Sequence, residues 1–148
     1  MQIVTLQTLF NRDLNKLKVE IETYKNERNL WVVDKHITNS GGNLCLHLIG
    51  NLKTYIGANL GKTEYVRNRA LEFSAKNVPR KEMVKQIEDT ISIVDNTLEN
   101  LDPLKLVEEY PILVFNDKMN TGYFLVHLLT HLGYHLGQIN YHRRLLDQ

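Results

Sequence analysis

Leu6, Leu9 or Phe10, Leu14, Leu17, Ile21 and Tyr24 recur at steps of three and four. Asn11, Arg12, Lys16, Lys18, Glu20 and Glu22 fill much of the remainder. One apolar face at that period predicts an amphipathic helix over roughly residues 3–26. The period breaks in NERNLWVVDKHITNSGGN. There Trp31-Val32-Val33 reads as a short extended piece, and Asn39, Ser40, Gly41 and Gly42 as a turn that caps a new helix. Leu44, Cys45, Leu48, Leu52, Tyr55 and Ile56 form a second stripe, which predicts a helix over roughly residues 41–59 with Gly61 as its stop. It is apolar over most of its circumference and so belongs in the core. Residues 61–79 read as a polar connection with room for a helical turn. Val84, Ile87, Ile91, Val94, Leu98 and Leu101 alternate strictly by three and four. They predict a third helix over roughly residues 80–101, with Pro79 in its first turn and Asp102-Pro103 ending it. Ile112-Leu113-Val114-Phe115 is too short for period to choose between a strand and an extended packing segment. A fourth helix is predicted over roughly residues 121–146, capped by Asn120 or Thr121.

Four amphipathic helices with two long connections predict an all-α four-helix bundle, one domain over residues 1–148. Composition changes that picture little. A hydrophobic fraction of 43%, a charged fraction of 24% and a formal net charge of +1 are ordinary for a globular chain. The near-neutral balance argues against nucleic-acid binding driven by phosphate contacts. The single Cys45 excludes an intramolecular disulfide and a multi-cysteine zinc site. No apolar run approaches the roughly 20 residues of a membrane span. MQIVTLQTLFNRDLNKL lacks the basic start, apolar stretch and cleavage site of a signal peptide. The expectation is a cytoplasmic protein without membrane partners.

Histidine placement changes the picture more. Four of six histidines, His127, His131, His135 and His142, fall in the last predicted helix. Residues four apart on a helix lie about 40° apart around its axis, so His131 and His135 point the same way one turn apart. Two such imidazoles can share one ion. His47 sits in LCLHLIGN, in the middle of the most apolar helix. It is either a core histidine with a hydrogen-bond partner or a ligand aimed into the bundle interior. With His131 and His135 it would make a three-histidine face with an open position, the pattern of a catalytic site.

Three segments carry a resemblance. HLIGNLKTYIG, EYVRNRALEF and HLGYHLGQI resemble the second helix, an Arg-rich connection and the last helix of the DinB/YfiT-like superfamily, over nearly the whole chain. The resemblance implies an up-down-down-up bundle and frequent homodimers. It also implies a divalent transition metal on His47, His131 and His135, with zinc or nickel foremost and iron next. Some members are transferases that use low-molecular-weight thiols, so it implies a small-molecule substrate and thiol transfer or hydrolysis. The competing reading is a non-catalytic bundle that binds a small molecule or a protein partner, with a structural or vestigial metal site.

Other residues are placed around that site. His127, one turn before His131, either replaces His135 as a ligand or stands beside the site; Gly137-Gln138 after His135 matches the superfamily pattern and favours the second. Asn51, one turn after His47, faces the site or makes a structural hydrogen bond. Arg67, Arg69 and Glu72 are surface charges in mutual ion pairs, or else an arginine orients an anionic substrate or locks the connection to the bundle. Gln138 holds the helix interface or a ligand. Cys45 points about 160° away from His47 and reads as a core thiol. His142, about 16 Å along the helix from His131, reads as a helix-end cation or a carboxylate's partner. His36 reads as an exposed loop residue. His-Glu-x-x-His is absent, since Leu132 follows His131, which disfavours a peptidase.

Overall fold

The computed structural model describes residues 2–148. It is all-helical. Five α-helices, α1 (Ile3–Thr23), α2 (Gly41–Leu52), α3 (Arg69–Ser74), α4 (Arg80–Glu99) and α5 (Thr121–Leu146), contain most of the core. No strand forms among the described residues, and isolated bridges join Asp34 to Ile37 and Glu109 to Asn120. Neither apolar run of the connections becomes a strand. Trp31 closes a 3-10 turn, Glu27–Trp31, and residues 112–115 run as irregular loop.

Local signals set most of the helix starts. The Ser40 hydroxyl accepts from Asn43 N at 3.1 Å and donates to Asn43 Oδ1 at 2.7 Å, which caps α2. Asn68 and Asn120 accept the amides of Leu71 and Tyr123 and cap α3 and α5. Pro79 is the N-cap residue of α4, one step before the first turn expected for it.

Two helix ends differ from the sequence expectation, for tertiary reasons. α1 stops at Thr23, three residues early, because the chain turns to bury Tyr24. The Asp147 carboxylate takes the freed amides of Lys25 at 2.6 Å and Asn26 at 3.2 Å. α2 stops at Leu52, and Lys53–Ala58 winds as a π-helix. The widened turn leaves the Tyr55 carbonyl free to accept from the Tyr110 hydroxyl at 2.6 Å. Periodicity carries no trace of a partner 55 residues away.

The helices pack through side chains that reach across the bundle. Gln7 and Asn11 of α1 donate to Asp95 of α4 at 2.9 and 2.6 Å. Asn140 and Arg143 of α5 donate to Glu20 of α1, each at 2.7 Å. Asn43 Nδ2 of α2 donates to the Glu72 and Ala75 carbonyls at 3.0 and 2.9 Å, which ties α3 to α2. Leu6, Phe10, Leu14, Leu17, Ile21, Leu48, Leu52, Ile87, Leu98 and Leu132 fill the interior. No helix among the described residues is long and apolar enough to cross a membrane.

Candidate metal centre

α2 and α5 carry three histidines to one place. One ring nitrogen from each of His47, His131 and His135 lies within 4.8 Å of the other two. His47 Nε2 and His131 Nε2 stand 3.2 Å apart. Two nitrogens each about 2.0–2.1 Å from one tetrahedral ion stand about 3.3–3.4 Å apart. The His47–His131 pair is therefore already at ligand spacing, and the set including His135 is looser. A hydrogen bond between the two rings would also span 3.2 Å, but it leaves the convergence of His135 unexplained.

The far nitrogens fix which way two of these rings present themselves. His47 Nδ1 lies 3.1 Å from Glu72 Oε1. Facing a carboxylate, that nitrogen carries the proton, which leaves Nε2 as a lone pair aimed at His131. His135 Nδ1 lies 2.6 Å from Gln138 Oε1 and is set the same way, provided the amide oxygen faces the ring. His131 Nδ1 is buried and finds no partner among the described residues. A carboxylate or amide oxygen behind a ligating imidazole is the usual support of a metal-binding histidine. Burial pushes the His131 pKa down to about 4, reinforced by the neighbouring His135, His47, His127 and Arg67. Burial also lowers that of His47, against the pull of Glu72. At neutral pH both rings are uncharged, the state a metal needs. The donor set therefore fits a divalent transition ion.

Residues 4–148 match the model of the family described as "Protein of unknown function (DUF1572)". The chain belongs to that family. No curated protein matches it.

In this DUF1572 member the remaining candidates divide. For Arg67 and Glu72 the surface reading fails, and the reading in which an arginine locks the connection to the bundle fits. Their ion pair exists, but not at the surface. Glu72 is 6% exposed, and Arg67 Nε and Nη2 each reach a different carboxylate oxygen at 2.8 Å. The fork holds Glu72 against His47. Gly50 was the available signal. A glycine weakens a helix interior, and here a methyl group would collide with the Glu72 carboxylate. Arg69 is exposed, lies over the Phe73 ring at 5.5 Å, and stays outside the cluster. Phe73 in turn packs 4.9 Å from the His47 ring.

His127 is half-buried and stands beside the site. Its ring stacks on Phe124 at 5.9 Å and on His131 at 6.4 Å. Asn51 is 7% exposed, and its Oδ1 is buried without a hydrogen-bond partner among the described residues. Gln138 is exposed and links His135 to the Tyr134 hydroxyl. His36 is exposed, as expected. Cys45 is fully buried, and burial raises its thiol pKa well above the ordinary value.

His142 is a correction. It is 3% exposed and pairs with no carboxylate among the described residues. Its Nδ1 accepts from the Tyr24 hydroxyl at 2.7 Å, and its Nε2 donates to the Val32 carbonyl at 2.8 Å. The irregular segment after α1 folds over the end of α5 and turns a presumed surface cation into a core histidine.

Proposed function

We propose that this protein is a DinB-like metal-dependent enzyme whose divalent ion is held by His47, His131 and His135. The observation that carries this reading is the 3.2 Å approach of two Nε2 atoms from rings on different helices, joined by His135. A divalent ion in that position lowers the pKa of a bound water or thiol toward neutrality, which suits hydrolysis or thiol S-transfer. Glu72 holds the His47 proton, Arg67 holds Glu72, and Gln138 orients His135. Among the described residues the carboxylate at the cluster is Glu72, and it is already committed to His47 and Arg67, not free to act as a general base. That favours transfer from a low-molecular-weight thiol, which brings its own nucleophile. Zinc or nickel suits three imidazoles, with iron next.

The same proposal includes an up-down-down-up bundle. Gln7 meets Asp95 while Lys18 meets Glu88, which supports opposite directions for α1 and α4. Glu20 meets Asn140 and Arg143 while Lys25 and Asn26, just past α1, meet Asp147 just past α5, which supports a parallel α1 and α5. His47 meets His131 while Tyr55 packs on Phe124, which supports an antiparallel α2 and α5. Tyr123, Tyr134 and Tyr141 stand exposed on α5 and offer a face for a homodimer.

Elemental analysis of protein purified without a histidine tag tests the reading. One equivalent of transition metal is expected in the parent, and none in His47→Ala or His131→Ala. A parent that stays empty after incubation with zinc, nickel and iron overturns it.

A further inference from the structure

Beside the three-histidine face a ring of side chains closes on itself. The His47 and His131 ring centroids are 5.1 Å apart, and His131 leads to His127 at 6.4 Å. His127 stacks on Phe124, and Phe124 meets Tyr55 at 5.3 Å. The Arg67 guanidinium lies 5.8 Å from the Tyr55 ring centre, and its Nη2 is 3.3 Å from His47 Nδ1. Asn51 lies on α2 one turn from His47 and about one turn from Tyr55, on the strip that faces this ring.

Two polar groups of the ring are uncommitted. Asn51 Oδ1 is buried with no partner among the described residues. A carbonyl left so is costly unless something donates to it. Arg67 spends Nε and Nη2 on Glu72, while its Nη1 makes no hydrogen bond among the described residues. The charge balance points the same way. Three imidazole ligands bring no negative charge to a dication, and Arg67 already offsets the one carboxylate behind them. The face is left strongly positive, with free N–H groups beside it and apolar rings around it.

We propose that this ring is the substrate pocket of the metal face and that it takes a small carboxylate-bearing molecule. The carboxylate lies on Nη1 of Arg67, an adjacent N–H or O–H donates to Asn51 Oδ1, and the apolar part packs on Phe124 and Tyr55. The inference rests on the metal reading above.

The test uses the full chain loaded with cobalt(II) and follows the visible bands of the ion. The probes are N-acetylcysteine and its methyl ester, which share a thiol and an N–H and differ in the carboxylate. Affinities are compared per thiolate, since the two thiols ionise differently. The acid is expected to bind about tenfold tighter than the ester, the scale of one charge-assisted hydrogen bond. Arg67→Met should erase that preference. Asn51→Leu should weaken both probes about tenfold and leave the preference intact. Should Arg67→Met fail to fold, the parent comparison and Asn51→Leu still decide. One equivalent of bound cobalt with no preference for the acid overturns the pocket alone. A chain that takes up neither cobalt nor zinc, nickel or iron overturns both the pocket and the metal site, and one that takes up nickel but not cobalt is read by the nickel bands with the same two probes.

Discussion

His47 and His142 are both buried histidines, and each has a partner packed against a glycine of α2. A methyl group on Gly50 would strike Glu72, the partner of His47. One on Gly41 would strike the Tyr24 hydroxyl, the partner of His142. Burial and close packing therefore do not separate them. Their ring nitrogens do. Both nitrogens of His142 are consumed, one by Tyr24 and one by Val32. His47 commits Nδ1 to Glu72 and leaves Nε2 facing another histidine. A core histidine closes its hydrogen bonds, whereas a ligand keeps a lone pair aimed at a neighbour that cannot satisfy every ring at once.

The largest effect that separates the two sites is metal uptake. His131→Ala should abolish it, while His142→Ala should still bind one equivalent. Metal loss in His142→Ala, with the fold intact by circular dichroism, would break the comparison. Stability should run the other way. His142→Ala leaves the buried Tyr24 hydroxyl and the Val32 carbonyl short of a partner and opens a cavity, at a cost of about 2–4 kcal/mol. Metal-free His131→Ala should lose less than about 1 kcal/mol, because burying that ring leaves Nδ1 unpaired already. Urea unfolding of both variants measures the difference.

A smaller effect tests the support behind His47. Glu72→Gln keeps the shape and removes the charge that holds the His47 proton. Metal affinity should fall about 10–100-fold, and stability should fall with it, because the Arg67 guanidinium loses its buried counter-charge. Gly50→Ala should weaken metal binding in the same direction, since Glu72 can yield only by releasing His47 or Arg67. Competition with a chelating indicator measures both, and an unchanged affinity in both would reduce Glu72 to a packing residue.

The sequence showed what is local and lost what is not. α5 was legible to the residue at both ends, because Asn120 caps it and its apolar positions run unbroken to Leu146. Helix period alone puts His131 and His135 on one face, whereas it left His47 open between a core histidine and a ligand, and the superfamily resemblance joined it to the other two. The end of α1 depends on Asp147 and His142, more than 100 residues away, and the π turn of α2 depends on Tyr110. Glu72 read as a surface charge because a carboxylate among two arginines usually is one. Only the fold of residues 61–79 against α2 turns it inward. The network around His142 was invisible because Val32 lies in irregular chain, and because the α1 period places Tyr24 on the buried face without saying what its hydroxyl meets.

The smallest effect is the pH dependence of the turn that ends α1. Burial would raise the Asp147 pKa, but the amides of Lys25 and Asn26 and the Asn29 side chain more than reverse it, and hold the carboxyl below its ordinary value. A depressed folded pKa means that the unfolded chain binds the proton more readily. The contribution of Asp147 is therefore complete above the unfolded value of about 3.9 and is lost as pH falls through the lower folded value. Asp147→Asn should cost about 1 kcal/mol near neutrality, the scale of one ordinary hydrogen bond, since the amide oxygen still accepts part of the network. It should also flatten the fall in stability below about pH 4. The same variant should leave metal uptake unchanged, because Asp147 acts on the His142 end of α5. Equal acid slopes in parent and variant, from urea midpoints between about pH 2.5 and 5, would place the acid sensitivity in other carboxylates.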